Sequence, residues 1–211
     1  MASINLNVVD LYHLDNVTSF TDAAAAGIWG IIHKATTGET GQDSAYVSRR
    51  QPVLDAGLLW GAYHFGTNAN VASQVENFLT TAQPDAQTLV ALDFEEDQGD
   101  QMTLTQARQF LALIEEKLGR KAVLYSGSQI KQDLGSTNDA FFGSHRLWLP
   151  DYNADPVVQA SWSTYWLWQY ADATDGLEPN QVNGITGDSD GNIDCNSYAG
   201  TQQQLAAEWA S

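Results

Sequence analysis

The sequence predicts an α/β barrel whose last units have lost their helices. Three observations carry this. Strand-like and helix-like segments alternate through the first two thirds of the chain, the final third carries strand-like segments separated by loops, and no linker, low-complexity block or repeat interrupts them. Alternation of this kind makes parallel strands the expectation. An open doubly wound sheet is the competing architecture, but no GxGxxG or GxxxxGK[ST] follows any strand, so a nucleotide-binding version of it has no support.

The elements follow in order. Ile4–Asp10 reads as a strand and Ser19–Ala26 as a short helix closed by Gly27. Gly30–Ala35 is an apolar strand, and Tyr46–Ala56 a helix closed by Gly57. Leu58–Phe65 is the third strand, and Ala69–Ala82 the third helix, stopped by Pro84, which has no N–H to continue it. Leu89–Phe94 is the fourth strand. In the helix Thr103–Leu118, Leu104, Ala107, Leu111, Ile114 and Leu118 recur at helical spacing and Gly119 ends it. Ala122–Ser126 is a strand and Ser128–Leu134 a short helix. Thereafter Arg146–Leu149, Tyr165–Tyr170 and Gly191–Asn196 read as strands without long helices between them.

Composition narrows the function. The 211 residues, 43% apolar and 10% aromatic, suit one sizeable core, and a single domain over residues 1–211 is the expectation. A net charge of −17 argues against nucleic acid, which needs a basic face, and favours a neutral or basic partner. Seven Trp are many for this length; some belong to the core, but a ring face also stacks on sugars. Cys195 is the single cysteine, so no internal disulfide can form, and it reads as a small buried residue. No run reaches the ~20 apolar residues of a membrane span. The N-terminal MASINLNVVD lacks the basic segment and apolar core of a signal peptide, so export by another route, or a mature form with an added start, is expected.

In a barrel, active sites form at the C-terminal ends of the strands. There the sequence places Asp10, His33-Lys34, Tyr63-His64-Phe65, Asp93 and Glu95, Tyr125-Ser126, Trp148 with Asp151 and Tyr152, Trp168-Gln169-Tyr170, and Asp194. Four acids from three separated strands thus converge on one rim beside aromatic rings. Asp93 and Glu95, two apart on a strand, share a face at about 6.6 Å, while Leu92 and Phe94 point into the strand–helix layer. Two carboxyls so placed repel, and the more desolvated one is pushed towards keeping its proton. A neutral acid can protonate a leaving oxygen while ionised neighbours stabilise an oxocarbenium-like centre or activate water, which is the logic of glycoside hydrolysis. The spacing leaves retaining and inverting geometries both open. A lone DxE is otherwise an ordinary helix-cap or loop feature, and Glu96, Asp97 and Asp100 read as solvated. Asp188-Ser189-Asp190-Gly191-Asn192-Ile193-Asp194 hints at a calcium loop, but its glycine is misplaced for an EF-hand, and it reads as a turn into the last strand. His13, His33, His64 and His145 read as hydrogen-bonded structural residues, with His64 nearest the site. No GxSxG elbow is present.

In their order along the chain these motifs resemble the muramidases of glycoside hydrolase family 25, which have a modified (β/α)5(β)3 barrel. VVDLYHLD, IIHKATTGETGQD, AGLLWGAYHF, LDFEE, VLYSG, LWLPDY, WLWQYAD and NIDCNSY resemble its successive strand ends. The resemblance implies that Glu95 is the general acid/base, that Asp93 and Asp10 are its acidic partners, and that Asp194 is the fourth carboxylate. It implies a sugar groove lined by Tyr63, Tyr125, Trp148 and Tyr152, with Lys34 as a further contact. The implied substrate is bacterial peptidoglycan, cut with net retention at the β-1,4 bond between N-acetylmuramic acid and N-acetylglucosamine, by a monomer acting on the cell wall after secretion or lysis. No metal or cofactor is implied. Two alternatives stand beside it: a related glycosidase on chitin-like polymers, and a non-catalytic glycan-binding module. Two departures stand out: Tyr12 replaces a small Ser often found two residues after the first Asp, and Pro150 replaces a usual Ala.

Overall fold

The structure, a computed structural model, describes residues 4–187 and 191–211. Its elements in chain order are β1 (Leu6–Leu11), β2 (Asn16–Val17), α1 (Phe20–Ala25), β3 (Gly30–Thr37), β4 (Gly41–Gln42), α2 (Tyr46–Asp55), β5 (Leu59–Phe65), α3 (Val71–Ala82), β6 (Leu89–Asp93), α4 (Leu104–Leu118), β7 (Val123–Tyr125), α5 (Ser128–Leu134), a single 3₁₀ turn, β8 (Leu147–Pro150), β9 (Leu167–Ala171), β10 (Ile185–Thr186), β11 (Asp194–Ser197) and α6 (Gln202–Glu208). Eight strands close a barrel in the order β1-β11-β9-β8-β7-β6-β5-β3, with β3 pairing back to β1. Helices follow its first five strands and not the next two, as the alternation in the sequence predicts.

Local signals set the helix ends. Ser19, Asn70 and Thr103 each accept a hydrogen bond from the backbone N–H three residues on, satisfying donors that a first turn leaves unpaired. At Thr103 the Gln106 side chain reciprocates in a capping box.

One expectation is corrected. Seven barrel strands run parallel, but β11 is antiparallel to both β1 and β9. The long connection after β9 returns the chain to the top of the barrel, so β11 starts, rather than ends, at the rim that the other strands reach. Asp194 therefore reaches the rim as the first residue of its strand, directly opposite Asp10.

The period of two along each strand then sorts the residues. Outward-facing side chains such as Val9, Ile31, Leu92, Phe94 and Leu124 pack against the helices in one buried cluster. Inward-facing ones form a second: Val8, Ile32, Leu89, Ala91, Val123 and Leu167, with Tyr63, Tyr125 and Trp148 above them. Continuing each inner row by two residues gives Asp10 after Val8, Lys34 after Ile32, Asp93 after Ala91 and Gln169 after Leu167.

The other end of the barrel is shut by α6, an element the sequence reading did not place. Its start carries a second capping box, Thr201 with Gln204. Trp209, 1% exposed, donates its indole N–H to Trp60 O at 2.7 Å. A Cβ on Gly30 would lie 2.7 Å from the Trp209 ring, so the close approach of this plug requires glycine at the start of β3. Arg146 lies 4.4 Å over the Trp166 ring and donates to the carbonyls of Glu208, Trp209 and Ser211, while Arg120 donates to Ala210 O. No helix among the described residues is long and apolar enough to cross a membrane.

Candidate active site

The pocket at the barrel rim is lined by Asp10, Lys34, Tyr63, Phe65, Asp93, Glu95, Tyr125, Trp148, Gln169 and Asp194. All four predicted acids are therefore together, along with Lys34, Tyr63, Tyr125 and Trp148. Tyr152 lies just behind the lining and reaches it through Gln169, to whose Oε1 it donates at 3.0 Å. Trp148 is 1% exposed and forms the floor of the pocket, so little of its ring face is free for stacking.

Glu95 lies two residues beyond the end of β6, on the face of Asp93. The backbone between them is pinned on both sides: Phe94 N–H donates to Tyr125 O at 2.9 Å, and Ser126 Oγ donates to Phe94 O at 2.6 Å. Phe94 itself is fully buried behind the barrel wall. This anchoring turns a short acidic run into two fixed side chains and a solvated remainder. Glu96 is exposed, whereas Asp97 is half-buried and its charge bears on Glu95, which corrects its reading as a purely solvated residue.

Crowding four carboxyls into a pocket with one lysine pushes all of them up. Burial is the main cause throughout. Glu95, half-buried, is pushed up to about 7 by burial, against the opposing Lys34 charge and with added repulsion from Asp10, Asp97 and Asp172. Asp93 rises well above the ordinary carboxylate range, by burial first and then by the charge of Glu95. Its Oδ1 is buried without a hydrogen-bond partner among the described residues. Asp194 also rises well above that range, through burial and then Asp10, Asp15 and Asp172. Asp10 rises only to about 6, because amide donors from Asn196 and Gln169 oppose its burial. Burial thus raises both members of the DxE pair, Asp93 well above the ordinary carboxylate range and Glu95 to about 7.

Lys34 Nζ lies 4.8 Å from the Phe65 ring centroid, 5.7 Å from that of Tyr63 and 5.9 Å from that of Tyr12. These rings hold the cation at the pocket edge, where it favours the ionised forms of Asp93 and Glu95. Tyr12, the departure noted in the sequence, thereby stands next to Lys34, outside the pocket lining.

Two site residues were given no role by the sequence, which placed Gln169 at the rim only within Trp168-Gln169-Tyr170. Gln169 Nε2 donates to Asp10 Oδ1 at 3.0 Å and Oδ2 at 3.2 Å, and its Oε1 accepts from Tyr125 at 2.8 Å. Asn196 Nδ2 donates to Asp10 Oδ1 at 2.7 Å. Both were in reach of the period-two rule: Gln169 follows Leu167 on the inner face, and Asn196 follows Asp194.

The histidines are engaged elsewhere. His64 is fully buried, stacked 4.8 Å from Phe110 and hydrogen-bonded to Thr36 and Gln74. His33 meets Lys34 O and Arg49, His13 pairs with Asp43, and His145 meets Ala122 O. Cys195 is buried, and burial pushes its thiol up, away from a reactive thiolate. Among the described residues no group of three His, Cys, Asp or Glu side chains is arranged to hold a metal ion. The suspected calcium turn falls partly on residues 188–190, outside the described residues.

Comparison with known proteins adds to this geometry. The sequence model of "Glycosyl hydrolases family 25" matches residues 9–177. A bacterial lysozyme from Streptomyces coelicolor superposes with a TM-score of 0.84 at 24% identity, covering 99% of each chain. A family GH25 lysozyme from Aspergillus fumigatus gives a TM-score of 0.76 at 22% identity, covering 96% of this chain and 98% of the other. The uncharacterised protein YegX of Escherichia coli O157:H7 is 29% identical over 182 residues, which are 82% of this chain and 60% of that protein. The chain thus spans less than two thirds of that relative's length.

Proposed function

The chain belongs to glycosyl hydrolases family 25, and on that premise we propose that this glycoside hydrolase is a muramidase that cuts bacterial peptidoglycan between N-acetylmuramic acid and N-acetylglucosamine. One observation carries the reading: a half-buried Glu95 titrating near 7 beside a more deeply buried Asp93 with an unpartnered oxygen, in one pocket at the barrel rim. Lysozyme activity in the structurally similar proteins named above supports the substrate class.

In the proposed reaction, protonated Glu95 gives its proton to the glycosidic oxygen. The C1–O bond breaks and its electron pair leaves with the departing sugar. The electron-poor C1 is met from the opposite face by an oxygen, either of Asp93 in its ionised form, which the Lys34 charge favours, or of the substrate's own acetamido group, for whose N–H the Asp93 Oδ1 is a ready acceptor. Ionised Glu95 then takes a proton from water as the water oxygen attacks C1 and displaces that oxygen, and two inversions give net retention. Lys34, Tyr63, Tyr125 and Tyr152 contact the sugars, over the floor made by Trp148. Residues 1–211 form one catalytic domain in this reading, because β11 and α6, beyond the matched segment, supply Asp194 and the plug. The enzyme acts as a monomer on the wall, after secretion or release at lysis.

The test is release of reducing ends from purified peptidoglycan by wild type and Glu95→Gln, with mass analysis of the ends. Muramic acid ends from the wild type alone are expected. No release by the wild type on any wall preparation, or glucosamine ends, would sink the proposal.

A further inference from the structure

Asp10, buried, and Asp194, half-buried, sit opposite each other on antiparallel strands, and a side-chain hydrogen bond joins the two carboxyls. Two carboxyls can make that bond only if one of them keeps a proton. The surrounding groups decide which.

Asn196 lies two residues after Asp194, on the same inner face. Its Oδ1 accepts from Trp148 Nε1 at 2.6 Å. An indole N–H can only donate, so the Asn196 amide cannot be turned without setting N–H against N–H. Nδ2 is thereby committed to Asp10 Oδ1 as a donor, at 2.7 Å. Trp148 is itself fixed, with Tyr125 edge-on at 4.7 Å and Tyr63 at 6.3 Å. Gln169 adds donors to both Asp10 oxygens, its own oxygen being taken by the hydroxyls of Tyr125 and Tyr152. Hydroxyls can donate or accept, so Gln169 could be turned to fit either protonation state; the Asn196 donor, which the indole fixes, cannot turn, and its hydrogen bond is stronger to an anionic Asp10 than to a protonated one.

We infer that Trp148 and Asn196, seconded by Gln169, are positioning residues that hold Asp10 as the anion and leave the shared proton on Asp194, which donates it to Asp10. Other titratable and charged groups bear on the pair from around the rim: Asp93 and Glu95 past β6, Lys34 on β3, Tyr63 on β5, Tyr125 on β7, Tyr152 past β8, Asp172 past β9 and Asp15 past β1. None of them contests the fixed amide. The consequence reaches the proposed acid, because an anionic Asp10 repels a charge on Glu95 and helps to keep it protonated. The inference deepens the muramidase reading and rests on it for its meaning, but its test uses no turnover.

Protein labelled with ¹³C at the Asp carboxyl carbon is titrated by NMR, with Asp10→Asn and Asp194→Asn giving the assignments. Near neutral pH the wild type should show Asp10 at an ionised shift and Asp194 at a protonated one. In Trp148→Phe, which removes the donor, the two shifts should move towards each other. A protonated Asp10 in the wild type, or an unchanged pair in Trp148→Phe, overturns the inference. Thermal melts give a second reading should Trp148→Phe not fold. Both Asn variants remove one carboxyl, but Asn at 194 copies the donor whereas Asn at 10 removes the charge that the Asn196 and Gln169 donors favour. Tm should fall by roughly 5–10 °C more in Asp10→Asn than in Asp194→Asn. Equal or reversed losses refute the assignment.

Discussion

The two ends of the barrel are built from the same strands and do opposite things. At the end closed by α6, Trp209, Trp166, Tyr198 and Leu205 pack together, and one Glu208 oxygen accepts from both Trp166 and Tyr198 at 2.8 Å. The opposite rim gathers four carboxyls, leaves Asp93 Oδ1 without a hydrogen-bond partner among the described residues, and holds each of the four above its ordinary range. Moving up the barrel by two residues per strand turns Val8 into Asp10 and Ala91 into Asp93. The lower end is thus the place to look for stability and the rim the proposed place of reaction, and a substitution should act on one or the other according to its layer.

The sharpest break should come at the rim. Glu95→Gln is expected to lower the rate of reducing-end release by roughly 10²–10⁴-fold, the usual loss with a general acid, without lowering Tm at neutral pH. A rate within threefold of wild type would remove Glu95 from the chemistry. Trp209→Ala should do the reverse. Emptying that buried site is expected to cost about 3–5 kcal/mol, or roughly 6–20 °C in Tm for a chain of this size, while the folded fraction keeps its turnover. A catalytic defect without a change in Tm would mean that the two ends are not separable.

A pH series sharpens the contrast further. Glu95 and Asp10 have folded values of about 7 and about 6, raised above their unfolded ones. Between the two values the native state holds protons that the unfolded state has lost, so stability is greatest at low pH and falls as pH rises from about 4 towards 7. Wild-type Tm should therefore drop across that window, and Glu95→Gln should raise Tm at pH 8 but not at pH 4. Equal Tm differences at both pH values would contradict the raised Glu95. Activity should fall above about 7, as the acid form of Glu95 disappears.

The smallest effect concerns the outer surface. With a net charge of −17, the enzyme should be repelled by wall bearing anionic polymers. Hydrolysis of such wall should rise severalfold as salt shortens the screening length from about 30 Å to about 10 Å, while polymer-free wall shows little change. Equal rates on both walls at both salt levels would remove charge from the account.

Much of this was legible beforehand, for physical reasons. Helical spacing and caps fix α4, because they act within a few residues. Period two puts Asp93 and Glu95 on one face and Leu92 and Phe94 on the other, because pleating is a backbone property. The same rule extended to Leu167–Gln169 and Asp194–Asn196 would have found both amides that hold Asp10. Ordered motifs then sufficed to name the family. Three things were not legible. The reversal of β11 depends on how a long irregular connection returns, α6 buries only Leu205 within its length and so shows no apolar period, and the relative burial of Asp93 and Glu95 depends on neighbours contributed by other strands.

The sequence by itself therefore determined which residues share a face and which acids end the strands, since those follow from bonds and periods a few residues long. Only the tertiary structure decided that Asp194 faces Asp10, that Trp148 holds Asn196 against Asp10, and how burial and charge shift each carboxyl. Desolvation and charge repulsion depend on distances between groups far apart in the chain, and closing the barrel is what sets those distances.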